Sequence, residues 1–482
     1  MKTKKRIAIE NFANFKKETN ASVEMFYNYQ PTKILSNSCG IKEATFPNSL
    51  TDPTEYTLNV SSANINKING VTYFKQYFPR TGNTQHRILL YGDDKKEYIN
   101  QLFCEDGDLY WLYSLTFNSA PVTLSFKQKG EDAIILTSKD KMVIWKTGYS
   151  PYTIENVPII TSMCMNDGVL FCTIREPAFK IWYATNLDAE NVGNIDSNSG
   201  YVSLEDDLGN ARKIVCFNQD VYVFRDYGIT KINYVKNKVS VSQVYQSNTK
   251  IFTETVSVCE NAIMFMTVEG LYQFNGVKVS RSSVDIGEML PIANDNACAS
   301  TLGDKYYLAL RLNFNDGKQL LCETGEFVNN ALIVVDLTDY SYQILRGVDI
   351  GALLPVRTQV FEKMLATFNS VHTSKVGEIC PVSKCFDDAL PKYWASNELF
   401  DMPITRLFTK LKVVADKNVK FNLKYGNKST SFTTYTAGNN EFCFKICTEN
   451  LKLEISSIEA SAQVKKVVVE YYEYWFDIAK AV

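Results

Sequence analysis

The sequence predicts an all-β fold, a β-propeller followed by a small carboxyl-terminal β-sandwich, and three observations carry that expectation. Aromatic residues make up 13% of the 482 residues, with 28 Tyr and 28 Phe. β-Branched residues crowd the same segments, and both kinds of side chain pack well on a pleated surface. Short hairpins recur through the middle of the chain at intervals that suit propeller blades. From Pro403 onward that interval disappears and close period-two alternation replaces it.

The hairpins are an apolar strand, a polar turn and a second apolar strand. The first is Phe103-Cys-Glu-Asp-Gly-Asp-Leu-Tyr-Trp111, and the second runs from Ile134 to Trp145 around Lys139-Asp140. Met163–Phe171, Ile214–Phe224, Val256–Phe265 and Ala299–Leu308 continue the series. Asn, Asp, Glu or Gly between alternating apolar residues is how a tight hairpin is written. Turn centres near 106, 140, 167, 219, 261 and 304 are separated by 34, 27, 52, 42 and 43 residues. A four-stranded propeller blade takes about 40–45 residues, so the later spacings fit and the earlier ones fit loosely. A second hairpin of the form Gly-apolar-x-x-apolar follows at Tyr227-Gly-Ile-Thr-Lys-Ile232 and Glu269-Gly-Leu-Tyr-Gln-Phe274, and two hairpins make one blade. A β-sandwich array is the competing architecture, since it too is a hairpin repeat.

Three regions follow. Residues 1–60, rich in Asn, Thr and Ser, read as an extended arm and first strands. Residues 61–400 read as the propeller, and 401–482 as the sandwich. In the last region Val419, Phe421, Leu423 and Tyr425 alternate with polar residues. Phe442, Phe444 and Ile446 follow, then Leu451, Leu453 and Ile455, then Val467, Val469 and Tyr471. Strands of this kind bury one face each.

Charge and cysteine usage narrow the function classes. Net charge is −2, from 51 Lys and Arg against 53 Asp and Glu, so the basic excess of a duplex-wrapping protein is missing. The dense basic run is Lys2, Lys4, Lys5 and Arg6, read as a solvated terminus with a phosphate-touching arm as the alternative. Glu10 and Asn11 follow too soon for the apolar core of a signal peptide, and no uncharged apolar stretch approaches membrane-spanning length. The twelve cysteines, at 39, 104, 164, 172, 216, 259, 298, 322, 380, 385, 443 and 447, sit mostly in apolar runs with no Cys-x-x-Cys pair. They read as small buried hydrophobes kept reduced in a cytoplasm.

A search for chemistry assigns no catalytic, cofactor-binding or metal-ligating residue. The two histidines are His86 and His372, and His372 with Cys380 and Cys385 has no zinc spacing and no orienting third group for a nucleophile. Asp93-Asp94, Glu205-Asp206-Asp207 and Asp387-Asp388 lie in polar, turn-like contexts and read as solvated turn carboxylates, with calcium coordination by Glu205 to Asp207 as the alternative. No phosphate-cradling glycine loop and no Gly-x-Ser-x-Gly are present. The chain therefore reads as a non-enzyme without a cofactor.

A resemblance supplies the rest of the functional expectation. Lys180-Ile-Trp-Tyr-Ala-Thr-Asn-Leu-Asp-Ala-Glu-Asn-Val192 resembles a phrase of bacteriophage β-propeller tail and head–tail connection proteins, in which a strand ending Trp-Tyr-Ser precedes a Leu-Asp-Pro turn and an aromatic. Here Ala184, Ala189 and Val192 depart from it. Gly200–Leu204 and Phe217–Ile232 continue the pattern. Lys392-Tyr-Trp-Ala-Ser-Asn-Glu-Leu-Phe-Asp-Met-Pro403 with Lys410–Val414 resembles the join between such a propeller and its sandwich. Met25–Gln30 running to Cys39-Gly40-Ile41 is similar to the opening of these proteins. The matches touch about a quarter of the chain.

The resemblance implies a structural virion protein of a tail or neck, assembled in the bacterial host cytoplasm. It implies a ring of copies, six or a multiple, that acts as a nozzle, plug or hub beside neighbouring tail, adaptor or portal proteins. Genomic DNA would pass through the lumen without sequence specificity, retained before ejection and conducted during it. The competing expectation is a glycan-binding or glycan-hydrolysing propeller, a monomer with carboxylates and aromatics converging on one mouth.

Overall fold

The protein is described by a computed structural model over residues 4–473, apart from residues 14–21, 48–53, 59, 61–64, 79–80, 93–95, 103–109, 118–119, 129–130, 139–140, 147–149, 156, 186–198, 237, 319, 321–322, 324–326, 359–360, 401 and 460. The described residues build an all-β molecule, and seven sheets follow one another along the chain as propeller blades.

Blade 1 is Ile68–Phe78, Asn83–Gly92, Lys96–Leu102 and Tyr110–Thr116; blade 2 is Val122–Gln128, Glu131–Thr137, Met142–Lys146 and Tyr152–Ile154. Blade 3 is Ile160–Asn166, Val169–Ile174, Lys180–Ala184 and Gly200–Ser203; blade 4 is Ala211–Phe217, Asp220–Arg225, Gly228–Val235 and Lys238–Gln246. Blade 5 is Ile251–Val258, Ile263–Thr267, Gly270–Phe274 and Val279–Arg281; blade 6 is Cys298–Leu302, Lys305–Leu310, Ala331–Asp336 and Tyr342–Arg346. Each is an antiparallel meander, with longer connections between the second and third strands of blade 6 (311–330) and between the third and fourth strands of blade 3 (185–199). Asp167-Gly168 and Asn218-Gln219 occupy two-residue turns with positive φ at both positions (47° and 76°, 51° and 66°), the geometry whose twist matches that of the flanking strands.

Blade 7 is completed by the other end of the chain. Ile350–Arg357, Glu362–Phe368 and Gly377–Cys380 supply its first three strands, and Gly40–Glu43 adds the fourth, with Ile41 opposite Ile379. Lys384–Cys385 and Asp388–Ala389 extend its outer edge.

Packing shows that the sheets close into a circle. The first strand of each blade lies against the first strand of the next, and Ile350–Arg357 of blade 7 lies against Ile68–Phe78 of blade 1. Separate apolar clusters fill the gaps between blades. Phe74 and Leu89 of blade 1 meet Ile134 and Trp145 of blade 2, and Phe224 of blade 4 meets Phe265 of blade 5. Val356 and Leu365 of blade 7 meet Ile88 and Leu90 of blade 1. A sandwich array would leave the first and last sheets unpaired, so the propeller is the architecture.

The sandwich draws on both ends of the sequence. One sheet holds Gly438–Thr448, Arg406–Ala415, Val464–Glu473, Lys4–Ile9 and the short strands Leu35–Asn37 and Tyr29–Pro31. The other is ordered Val23–Tyr27, Lys392–Ser396, Lys452–Ser457, Lys420–Tyr425, Lys428–Thr433. Phe408, Leu411, Val413, Val467 and Val469 of the first sheet and Trp394, Phe421, Leu423, Leu453 and Ile455 of the second share one core.

The strands therefore divide differently from the expected boundaries. The described strands of residues 1–60 are divided among the sandwich, blade 7 and a separate two-stranded sheet of Thr45–Pro47 and Glu55–Thr57, and Lys392–Ser396, placed by sequence within the propeller, lies in the sandwich between Val23–Tyr27 and Lys452–Ser457. The basic run does not project: Lys4–Ile9 pairs along Val464–Glu473, with Lys4 2.6 Å from Glu470 and Lys5 bonded to Glu473. Lys2 lies outside the described residues.

Candidate functional site

A cluster of polar side chains, most of them buried, lies where blade 6 and the loop between its second and third strands meet the sandwich. Tyr27 and Asn28 come from the amino-terminal segment, Asp316, Lys318 and Glu323 from a blade 6 loop, Arg346 from the end of blade 6, and Tyr393 and Glu454 from the sandwich.

Arg346 organises the seam. Its Nη1 donates to Asp316 Oδ2 at 2.9 Å, its Nε to Glu323 Oε1 at 3.1 Å, and its Nη2 to Lys318 O at 2.6 Å and Glu323 Oε2 at 3.2 Å. The guanidinium lies against Tyr27 and Phe314, with centroid distances of 4.9 and 4.3 Å. Burial opposes its charge, but Glu323 and Asp316 outweigh burial and raise its pKa. Tyr27 Oη donates to Asp316 Oδ2 at 2.9 Å, and burial followed by the Asp316 charge pushes the phenol up.

Asn28 fastens the same seam to the backbone. Its Nδ2 donates to Arg346 O and Pro391 O, and its Oδ1 accepts from Arg346 N at 2.8 Å. It does so in the left-handed region, at φ 57°, which Asn tolerates better than most residues.

On the sandwich side Tyr393 stacks on Tyr27 and donates to Glu454 Oε1 at 2.6 Å. Burial opposes ionisation of Glu454, but hydrogen bonds from Lys424, Tyr393 and Asn422 outweigh it and lower the pKa. Lys318 Nζ sits 3.9 Å from the Tyr393 ring centroid. A cleft of about 230 Å³ opens beside this cluster, with Glu24, Asp285 and Glu288 on its walls. Lys452 is bonded to Glu24 and Lys424 to Glu454, so its two lysines pair with two of its acids. This is a charge-compensated seam that holds two domains in one orientation.

The residues weighed in the sequence fall elsewhere. His86 lies on the second strand of blade 1, while His372 lies between strands two and three of blade 7. His372 packs on Phe386 at 4.3 Å and approaches Asp388 at 3.9 Å; burial and then Lys375 lower its pKa. It lines a mainly apolar cavity of about 590 Å³ with Phe368, Val371, Leu390 and Ile458. Cys385 lines that cavity, but burial pushes the Cys380 thiol up, opposite to what a nucleophile needs. Buried Asp349 at its wall already accepts from Val328 N, Asn329 N, Asn369 Nδ2 and Ser370 Oγ.

Of the acidic groups, Asp206 forms an ion pair with the fully buried Arg225, whose guanidinium also donates to Leu204 O and Gly209 O. The Glu205–Asp207 turn is thus wrapped on an internal cation. Asp387 and Asp388 are both exposed at the edge of blade 7, and Asp93-Asp94 lies outside the described residues. Among the described residues no group of three His, Cys, Asp or Glu side chains could share a metal ion.

The seven inner strands that line the propeller channel carry one acidic residue among the described residues, Glu254, paired with Lys213 at 2.9 Å. Two-carboxylate glycoside hydrolysis needs a second group facing the first. The inner strands are instead tied to one another by hydroxyls. Thr123 reaches Thr72 at 3.3 Å, Ile214 N donates to Ser162 Oγ at 3.2 Å, and Thr301 Oγ1 donates to Val258 O at 2.8 Å.

Arg225 and Arg346 are the buried residues that sequence reasoning passed over. Each is a cation ending an apolar strand, Asp-Val-Tyr-Val-Phe-Arg225 and Tyr-Gln-Ile-Leu-Arg346, and that context was the available signal.

No family model and no curated protein matches the chain. Among solved structures it is similar to a streptogramin B lyase, at 10% identity and a TM-score of 0.43 over 70% of this chain and 97% of that one. It is also similar to BamB from Moraxella catarrhalis, at 11% identity and a TM-score of 0.36 over 78% of this chain and 97% of that one.

Proposed function

We propose that this chain is a structural protein of a bacteriophage tail or neck, one of several copies in a ring that retains the packaged genome and conducts it during ejection. The observation that carries this reading is where the phage-like segments fall. Met25–Gln30 enters the sandwich and reaches the domain seam, and Gly40-Ile41 closes blade 7. Lys180–Ala184 is the third strand of blade 3, and Lys392–Ser396 joins propeller to sandwich. Three of these four segments pair with strands far away in the sequence, which suits a part of a particle under internal pressure, while Lys180–Ala184 pairs within its own blade.

The channel inside one propeller is not the path for a duplex, because neighbouring inner strands approach within 8 Å between Cα atoms all the way round. The conduit in this reading is the lumen of the ring. With a net charge of −2 the protein binds DNA weakly overall, which suits a wall along which DNA slides.

Disrupting the gene in its phage tests the proposal. Particles without the protein are expected to package DNA and then lose it, or to fail to join a tail, and purified wild-type particles are expected to contain the chain in several copies. Particles that lack the chain yet stay filled, tailed and infectious would overturn it.

A further inference from the structure

The sandwich leaves one long strand with an open side. Gly438–Thr448 pairs with Arg406–Ala415 along one edge, and among the described residues no strand pairs with its other edge. Such a row of unpaired amides and carbonyls is a template for another strand, and proteins usually blunt it with Pro, a bulge or a short length. This strand is eleven residues long and contains no Pro; a bulge between Cys443 and Ile446 interrupts its pairing with Arg406–Ala415 but leaves Glu441, Cys443 and Lys445 exposed on one face.

Its sequence is palindromic in shape and opposite in charge about Cys443. Glu441-Phe442-Cys443-Phe444-Lys445 places an acid and a base equally far from the centre, with a Phe on either side of it. Glu441, Cys443 and Lys445 are exposed on the outer face, while Phe442 and Phe444 are half-buried against Phe432, at centroid distances of 5.1 and 5.2 Å.

We infer that this edge is a self-complementary contact through which two copies of the chain join, antiparallel, with Cys443 on the two-fold axis. In that register Glu441 of each chain faces Lys445 of the other, Phe442 faces Phe444, and the two Cys443 face each other. Directly opposed opposite charges and aromatic pairs are the stabilising units of a sheet. Lys445 has no ion-pair partner among the described residues, and the contact supplies one. Glu441 already bonds Lys410 and lies 3.8 Å from Lys412 on its inner side, so the contact extends a row of alternating charge across both sheets. An isologous contact closes at two chains, so any closed ring that contains it holds an even number of them.

Charge exchange tests this in the full-length protein by sedimentation equilibrium, with thermal melts confirming that each variant is folded. Glu441→Lys alone opposes two bases across the axis, and Lys445→Glu alone opposes two acids. Each single variant is expected to self-associate at least about tenfold more weakly than the wild type. An equimolar mixture of the two single variants, and the double variant by itself, are expected to recover association. Diamide supplies a second readout: two Cys443 thiols give up two protons and two electrons to it and form one disulfide. Opposed residues in antiparallel strands lie about 4.5–5.5 Å apart between Cα atoms, within disulfide reach. Two Cys447 residues in the same register lie about 27 Å apart. Cross-linked dimers are therefore expected for the wild type and Cys447→Ser and not for Cys443→Ser.

A mixture no tighter than the single variants, or cross-linking that survives Cys443→Ser, overturns the contact. A larger ring that persists unchanged in both single variants also overturns it while leaving the ring proposal standing. A two-chain species with no larger ring does the reverse.

Discussion

A single side chain, Arg346, organises the propeller side of the seam: it neutralises Asp316 and Glu323 within blade 6 and lies against Tyr27 of the sandwich. The side chains of Arg346 and Asp316 are 4% and 1% exposed, so removing the cation strands the Asp316 carboxylate in the interior beside Glu323. Breaking a buried ion pair from one side costs roughly 3–5 kcal/mol, far above the worth of an exposed pair. Arg346→Leu is therefore expected to lower unfolding stability by about that amount in urea titrations. A loss within the range of ordinary surface substitutions would show that the seam does not depend on this pairing. The exposed pair between Lys250 and Asp295 is a matched control and should be nearly silent. Arg225 follows the same logic inside blade 4, where it draws the Glu205–Asp207 turn inward. The sequence shows three acids in a turn; the cation that one of them, Asp206, pairs with lies 19 residues away on a strand whose apolar pattern conceals it.

At the scale of elements, hairpins were legible and long-range strands were not. Five of the six hairpins seen in the sequence pair as strands, though at different turns of their blades, and the turn of the sixth, 103–109, lies outside the described residues. The Met163–Phe171, Ile214–Phe224, Val256–Phe265 and Ala299–Leu308 hairpins each join strands one and two of a blade. Ile134–Trp145 joins strands two and three of blade 2, and the strands flanking 103–109 are three and four of blade 1. This explains the irregular early spacings of 34 and 27 residues, which compare unlike turns. Gly40–Glu43 pairs with a strand more than three hundred residues away, so no local turn chemistry announces it. Its one signal is a glycine. A Cβ at Gly40 would lie 1.6 Å from Val382 O and 2.3 Å from Lys384 O. Gly40→Ala is expected to displace the closing strand and to cost at least about 2–3 kcal/mol in chemical unfolding. Gly70→Ala, where the nearest atom to an added Cβ is 3.9 Å away, should change stability by less than about 1 kcal/mol. Equal effects at the two positions would contradict the tight closure of blade 7.

Across the whole molecule, the beginning and end of the described chain are woven into the same bodies. Lys4–Ile9 and Val464–Glu473 are neighbours in one sheet, and Gly40–Glu43 locks the propeller that the sandwich rests on. Opening the propeller therefore requires disturbing the strand that leads out of the sandwich, and the seam at Arg346 couples the two events. The sandwich core was legible because Phe421, Leu423, Leu453, Ile455, Val467 and Val469 alternate strictly; its amino-terminal strands were not, because short strands such as Tyr29–Pro31 carry too few residues to show a period. The buried ion pairs lie within a domain but between residues far apart in sequence, Arg346 with Asp316 and Arg225 with Asp206, so no local motif announces them. A stiff body of this kind is suited to assembly, and the role proposed for it is as one copy in a ring. Electron microscopy of the purified full-length protein, with its mass measured in solution, tests that most directly. The account predicts closed rings of an even number of copies with propellers and sandwiches repeating around an open lumen; a strict monomer at all concentrations that binds or cleaves a glycan would contradict it.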